Sequence, residues 1–308
     1  MSRPPTLTPP PAARAYPLRT ARGDFAVVDH PVAPGVEPRG AALLLPGFTG
    51  SKEDFRLLHE PLAARGYRTV AVDGRGQYES DGPQDDESAY AQPELAKDVL
   101  AQAAALGTPL HLFGHSLGGQ IARAAVLLDA DTTPVSPTEV PFRSLTLLSS
   151  GPAQISQPQQ ERVKLLRDAL AVMSMAEVWD AIESMGAPED VGGPAVGTGG
   201  QEHLRHRWLR NKPAQLIATG RQLCTEPDRV GELAAVALPV HVLSGASDDT
   251  WPLPLLDEMA VRLHARRTVV ADSDHSPNVD RPLPTAEAIA DFWDTIQAPP
   301  ARRKQPAP

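Results

Sequence analysis

Leu110-His-Leu-Phe-Gly-His-Ser-Leu-Gly-Gly119 begins as an apolar run and breaks at a serine set between glycines. The run to Phe113 is short, continuous and bounded by turn residues, the pattern of a buried strand. The residues after it, Gln120-Ile-Ala-Arg-Ala-Ala-Val-Leu-Leu128, predict a helix. Between the two lies Gly-His-Ser-Leu-Gly, the Gly-x-Ser-x-Gly pattern of a nucleophile elbow. A turn that passes directly from strand to helix leaves little room beside its serine, which favours neighbours without Cβ. Such a turn lifts the Ser116 hydroxyl clear of the sheet. It also sets the serine at a helix N-terminus, where free N–H groups and the helix dipole favour negative charge.

Outward from this stretch the alternation continues. Residues 25–28, 41–45, 69–72, 142–148, 239–243 and 267–271 read as strands. Residues 53–65 read as a helix with Phe55, Leu57, Leu58 and Leu62 on one face and Gly66 as its cap. Residues 93–106, 253–263 and 285–296 read as further helices. Strands that are apolar throughout, alternating with helices, predict a mostly parallel sheet covered on both faces. In such sheets ligands bind beyond the carboxyl ends of the strands, where the loops at Pro46, Asp73 and Ser116 fall. The rhythm stops at residues 152–236, which hold no strand pattern. Helical stretches there cover residues 161–175, 176–185, 201–210 and 213–223, and a Gly/Pro-rich segment at 186–200 reads as mobile. An all-helical block inserted at the site edge reads as a lid. The expected organisation is a core of residues 21–151 and 237–297, a lid of residues 152–236, and disordered Pro-rich ends at 1–20 and 298–308.

Composition narrows the class. The chain has 308 residues, 41% of them apolar, and a net charge of −9, which argues against nucleic acid or an anionic membrane as partner. One cysteine, Cys224, excludes an internal disulfide, and its flanks lack the Gly-rich turn of a nucleophile. No apolar run approaches the ~20 residues of a membrane span. Residues 1–20 lack the apolar segment of a secretory leader, so the expected compartment is the cytoplasm.

Three chemically cooperating residue types follow strands of this pattern. Ser116 follows one, Asp248 or Asp249 another, and His275 the last. The chain order Ser, Asp, His accompanies the elbow. A serine hydroxyl is a poor nucleophile at neutral pH. A histidine can take its proton and return it to the leaving group, and a carboxylate can fix the histidine tautomer. Asp272 and Asp274 flank His275 too closely in sequence to face its ring, so they read as turn residues. His115 reads as packing beneath the elbow.

Four further segments extend the pattern. They are Pro46-Gly-Phe-Thr-Gly, Asp73-Gly-Arg-Gly-Gln-Tyr-Glu-Ser-Asp-Gly-Pro83, Gly245-x-x-Asp248-x-x-x-Pro252 and His275-x-Pro277-x-x-x-x-Pro282. With the elbow, they resemble the α/β-hydrolase superfamily over residues 25–297. The chain departs from the family at Pro46, where a histidine is usual and a supporting side chain is lost. It departs again at Tyr78, where glycine is usual. The resemblance implies the α/β-hydrolase fold, a mostly parallel sheet with an inserted helical lid, and a serine hydrolase of esterase or lipase type. It assigns Ser116, Asp248 and His275 as the triad, with Asp248 preferred to Asp249 by spacing. It assigns the backbone N–H groups of Phe48 and Leu117 as the oxyanion hole. It implies no cofactor and no metal, and a small-molecule substrate. Thioesters, lactones, C–C bonds and peptides are cleaved by the same residues, and a ligand-binding protein on the same fold is the non-enzymatic alternative. Trp179, Met173, Met175 and Trp208 are candidates to line an apolar pocket. His203 and His206 are spaced as a metal pair with no third ligand in the sequence pattern. Arg75 is expected to brace the Asp73 turn.

Overall fold

The continuous apolar runs become the inner strands of one sheet. A computed structural model describes residues 8–132, 140–185 and 198–296. Its strands are β1 (Arg14–Thr20), β2 (Gly23–His30), β3 (Gly40–Leu45), β4 (Tyr67–Val72), β5 (Leu110–His115), β6 (Phe142–Leu148), β7 (Val240–Gly245) and β8 (Arg266–Val270). They lie side by side in the order β1-β2-β4-β3-β5-β6-β7-β8. β1 pairs antiparallel with β2, and β2 with β4. Every other pairing is parallel. The helices are α1 (Arg56–Ala64), α2 (Gln92–Leu106), α3 (Leu117–Thr132), α4 (Gln157–Leu170), α5 (Met175–Ser184), α6 (Thr198–Arg210), α7 (Pro213–Thr225), α8 (Val230–Ala234), α9 (Leu253–Arg262), α10 (Pro277–Asp280) and α11 (Pro282–Asp294).

Parallel strands need crossovers, and here helices supply them on both faces. One face of the sheet buries Leu43, Leu112, Leu145 and Val242 with side chains of α2, α3, α8 and α9. The other buries Leu44, Phe113, Leu148 and Leu243 under α1 and α11. Burying one such leucine contributes about 2 kcal/mol relative to exposure. A strand that is apolar at every position is therefore stable only between two layers.

Two expectations are corrected. Residues 14–20, read as part of a disordered arm, form β1. Pro17 is compatible with a strand there because β1 is at the edge of the sheet, where a missing N–H leaves no ladder bond unmade. Leu18 is buried and the Tyr16 hydroxyl donates to Asp29, so the segment is anchored. The helix expected over 53–65 is a 3₁₀ turn at Lys52–Phe55 followed by α1.

The all-helical block lies between β6 and β7 as α4 to α8. Helices α4 to α7 share an apolar cluster of their own, built on Leu170, Val178, Trp179, Leu204, Trp208 and Leu216. By contrast, Val230 and Leu233 of α8 join the main core. Of the Gly/Pro-rich segment, residues 186–197 lie outside the described residues. Among the described residues no helix is long and apolar enough to cross a membrane.

Candidate active site

β5 delivers Ser116 straight into α3, and the backbone there is strained. Ser116 has φ 55, in the left-handed region, a conformation that costs a non-glycine residue about 1–3 kcal/mol. Its N–H donates to the Leu148 carbonyl at 2.9 Å, and its carbonyl accepts from the Gly119 N–H at 2.9 Å. The close approach falls on Gly118, where a Cβ would lie 2.3 Å from the Leu45 carbonyl oxygen. The α3 terminus is thus pressed onto the end of β3. Leu117 is the first residue of α3, so the helix offers its N–H no carbonyl one turn earlier.

The structure brings Ser116, His275 and Asp248 together. His275 Nε2 lies 3.1 Å from Ser116 Oγ, and His275 Nδ1 lies 3.0 Å from both oxygens of Asp248. A carboxylate only accepts, so Nδ1 carries the proton and Nε2 presents its lone pair to the serine hydroxyl. Asp248 also accepts from the Thr250 N–H (2.8 Å) and the Trp251 N–H (3.2 Å). Burial works to raise the Asp248 pKa. The hydrogen bond and charge of His275 and the two backbone donors outweigh it and hold the carboxyl below its ordinary value. Asp249 turns outward. Its side chain is 67% exposed and meets Arg162 at 3.4 Å, whereas that of Asp248 is 0% exposed.

The acid and histidine loops are stitched to each other. The N–H groups of Ala246 and Ser247 both donate to the Ser273 carbonyl. A Cβ on Gly245 would lie 2.1 Å from the Asp274 carbonyl oxygen, which accounts for the glycine three residues before Asp248. Asp272 faces Arg281 at 3.2 Å, and Asp280 caps the Asp274 N–H at 3.1 Å. His115 lies beneath the elbow with Nε2 2.8 Å from the His275 carbonyl. A carbonyl only accepts, so this nitrogen donates and steadies the His275 backbone. Burial, then the neighbouring His275, push the His115 pKa down to about 3.

The loop after β3 carries Gly47 and Phe48 beside the elbow. A Cβ on Gly47 would come 3.3 Å from Ser116 Cβ. Phe48 packs against both the main core and the apolar cluster of the insertion. That cluster contains Trp179 and Trp208, with Met173 and Met175 packed against it. The Trp208 indole N–H donates to the Met175 carbonyl at 2.7 Å.

Several contacts of this region carried no signal in the sequence reading. Lys52 is buried and its Nζ contacts Asp73 (2.8 Å), Glu53 (2.8 Å) and Glu79 (2.6 Å). Burial opposes its charge, but Asp73 and Glu53 outweigh it and hold the ammonium above its ordinary pKa. Lys52 therefore meets the Asp73 carboxylate. Arg75 braces the turn by tying it to Asp98 of α2, at 2.7 and 2.6 Å. Gln77 donates from Nε2 to the Gly47 carbonyl at 2.9 Å. Tyr78, at the position where glycine is usual, has a left-handed backbone at φ 38. Its N–H donates to Asn211 of the insertion at 3.1 Å, which supports that strained conformation. Arg207 of α6, fully buried, donates to Asp54 Oδ1 (2.8 Å) and Ser51 Oγ (3.2 Å), just after the Gly47–Phe48 loop. Only a regular pattern or a known motif is visible in a sequence, and these contacts join residues far apart in it.

His206 Nδ1 lies 3.5 Å from the Tyr78 hydroxyl. Among the described residues no three His, Cys, Asp or Glu side chains are grouped to hold a metal ion.

Residues 42–288 match the alpha/beta hydrolase family. No curated protein matches the chain. Among solved structures, it is similar to a carboxylesterase of the ammonia-oxidizing thaumarchaeon Nitrososphaera gargenis, at 17% identity and TM-score 0.70, over 92% of this chain and 98% of that one. It is similar to a thermophilic esterase from Thermogutta terrifontis, at 20% identity and TM-score 0.68, over 93% of this chain and 100% of that one. It is also similar to an E-2-(acetamidomethylene)succinate hydrolase, at 22% identity and TM-score 0.67, over 92% and 99%. The family match spans most of the length and includes the elbow, the acid loop and the histidine loop: the chain belongs to the alpha/beta hydrolase family and is a hydrolase.

Proposed function

We propose that the chain hydrolyses a small or medium carboxylic ester through an acyl-enzyme on Ser116. The observation that carries this reading is the unbroken chain of contacts from Ser116 Oγ through His275 to Asp248, at 3.1 and 3.0 Å. In the proposed first step Ser116 Oγ attacks the carbonyl carbon while its proton passes to His275 Nε2. The carbonyl π electrons move onto oxygen, and the N–H groups of Phe48 and Leu117 receive that oxyanion. The carbonyl re-forms, the C–O bond to the leaving group breaks, and His275 returns the proton to the departing alkoxide. Water then repeats the sequence on the acyl-enzyme, giving the acid and free Ser116. Asp248 stays ionised throughout and stabilises the imidazolium.

In this reading helices α4 to α7 are the lid, and Trp179, Met173 and Trp208 form the apolar wall nearest Phe48. The substrate is a small molecule, and the single cysteine is compatible with a cytoplasmic setting. A fluorophosphonate probe tests the nucleophile. Folded wild type is expected to label once, and Ser116→Ala is expected not to label and to lose turnover by about 10⁴-fold or more. Absence of labelling in folded wild type overturns the reading. A panel of p-nitrophenyl esters, thioesters and lactones of rising chain length then separates ester cleavage from the other reactions of this triad.

A further inference from the structure

We propose that Gln77 is a positioning residue that sets the direction of the Phe48 N–H, and so completes the oxyanion hole. This rests on the acyl-enzyme reading above. The Gly47–Phe48 peptide is planar and trans, so its C=O and its N–H point in opposite directions. Whatever holds the Gly47 carbonyl therefore aims the Phe48 N–H. The Gly47 carbonyl accepts from Gln77 Nε2 at 2.9 Å and from the Gly50 N–H at 3.1 Å, one donor for each lone pair. The Gly50 bond closes the loop on itself. The Gln77 bond fixes the loop to something outside it.

Gln77 is itself held. It is buried, and its Oε1 accepts from the Gly74 N–H at 3.0 Å, which fixes which end of the amide is the donor. The turn that carries it is anchored twice just before Gln77. Arg75 is paired with Asp98 of α2, and Asp73 is held by Lys52. Gly47 itself lies against the elbow, where a Cβ on it would come 3.3 Å from Ser116 Cβ, so the peptide it begins borders the serine. With the carbonyl drawn toward Gln77, the Phe48 N–H is left for an atom bonded to Ser116 Oγ. The usual family histidine is absent at Pro46, and a glutamine from a different loop provides an outside support for the oxyanion loop.

Gln77→Glu keeps the shape and the bond from Gly74, but sets a carboxylate oxygen against the Gly47 carbonyl. Gln77→Met keeps the length and removes both bonds. Loss of one oxyanion donor outright costs about 10²–10³-fold in kcat. The Gly50 bond remains, so the expected loss is about 10-fold for Met and about 100-fold for Glu, with KM on p-nitrophenyl acetate within about threefold of wild type. A boronic acid, whose serine adduct places an oxygen in the hole, should weaken by the same factors. A merely structural residue would lower the melting temperature and leave kcat per folded enzyme and boronate affinity unchanged, and that result overturns the proposal. Equal kcat for wild type and Gln77→Glu also overturns it. Should Gln77→Glu fail to fold, Gln77→Met decides by the same split of kcat against KM. Hydrogen exchange of the amides at residues 47–50 gives a readout free of activity, and Gln77→Met is expected to speed it about tenfold with the β5 and β6 amides unchanged. Unlabelled but folded wild type with faster loop exchange in Gln77→Met would remove the hydrolase reading and leave the tether. Labelled wild type with unchanged exchange and kcat would do the reverse.

Discussion

The β5–α3 elbow and the α4–α7 insertion meet the same Gly47–Phe48 loop and are held by different forces. At the elbow the constraint is steric and local. Gly118 meets the Leu45 carbonyl so closely that no side chain fits, and Ser116 is forced to φ 55. In the insertion the constraint is polar and distant. Arg207 crosses to Asp54 and Ser51, and Asn211 reaches Tyr78. The Lys212 N–H donates to the Gly76 carbonyl. Steric constraints of the first kind are written into neighbouring residues. Polar constraints of the second kind need two partners more than a hundred residues apart. A buried ion pair is strong only while both partners are present, since each ion alone pays the cost of leaving water.

The sharpest test of the steric side concerns the two adjacent aspartates. Asp248→Asn is expected to lower kcat by about 10⁴-fold, because the amide cannot hold the His275 tautomer. Asp249→Asn, on an exposed side chain whose ion pair with Arg162 is exposed too, should leave kcat within about twofold. Steady-state kinetics on one ester checks both, and a larger loss at Asp249 would break the assignment.

Next in size is the polar anchor. Arg207→Met leaves the Asp54 carboxylate buried without its partner, which is expected to cost about 3–5 kcal/mol of stability. Changing Asp54→Leu in the same protein should recover most of that loss, because a neutral apolar pair needs no desolvation. Urea unfolding of the two single variants and the double variant gives the coupling. A double variant as weak as Arg207→Met alone would mean that packing, and not the charge, holds the insertion in place.

The smallest effect is that of one buried histidine of the sheet, read by pH. Burial pushes His59, His111, His115 and His241 down to about 3, and all four lie on the sheet or the helices that cover it. In the unfolded chain each binds a proton near its ordinary pKa of about 6.5. Between those two values the unfolded state carries more protons, so stability is complete above pH ~6.5 and falls as pH falls toward 3, by about 1.4 kcal/mol per pH unit for each histidine. His241→Gln should reduce the slope by about one proton. Unfolding free energies measured at several pH values between 4 and 7 check it, and an unchanged slope would place the acid sensitivity elsewhere.

Much of this molecule was determined by its sequence. Apolar runs too continuous for a half-exposed sheet required two covering layers. A serine between glycines required an elbow, and the order of Ser116, Asp248 and His275 put one chemical group after each of three strands. β1 was hidden because proline content suggests an arm, and only pairing with β2 shows that Pro17 sits on an edge. The motif spacing preferred Asp248, which the tertiary structure sets against His275; the tertiary structure alone decided that Arg75 meets Asp98 while Lys52 meets Asp73. It alone decided that Gln77 and Arg207 grip the loop beside Ser116. The physical reason is common to all of these. Periodicity and turn chemistry act over a few residues and leave a local pattern, whereas a buried hydrogen bond or ion pair is defined by what the folded chain brings within 3 Å, whatever its separation in sequence.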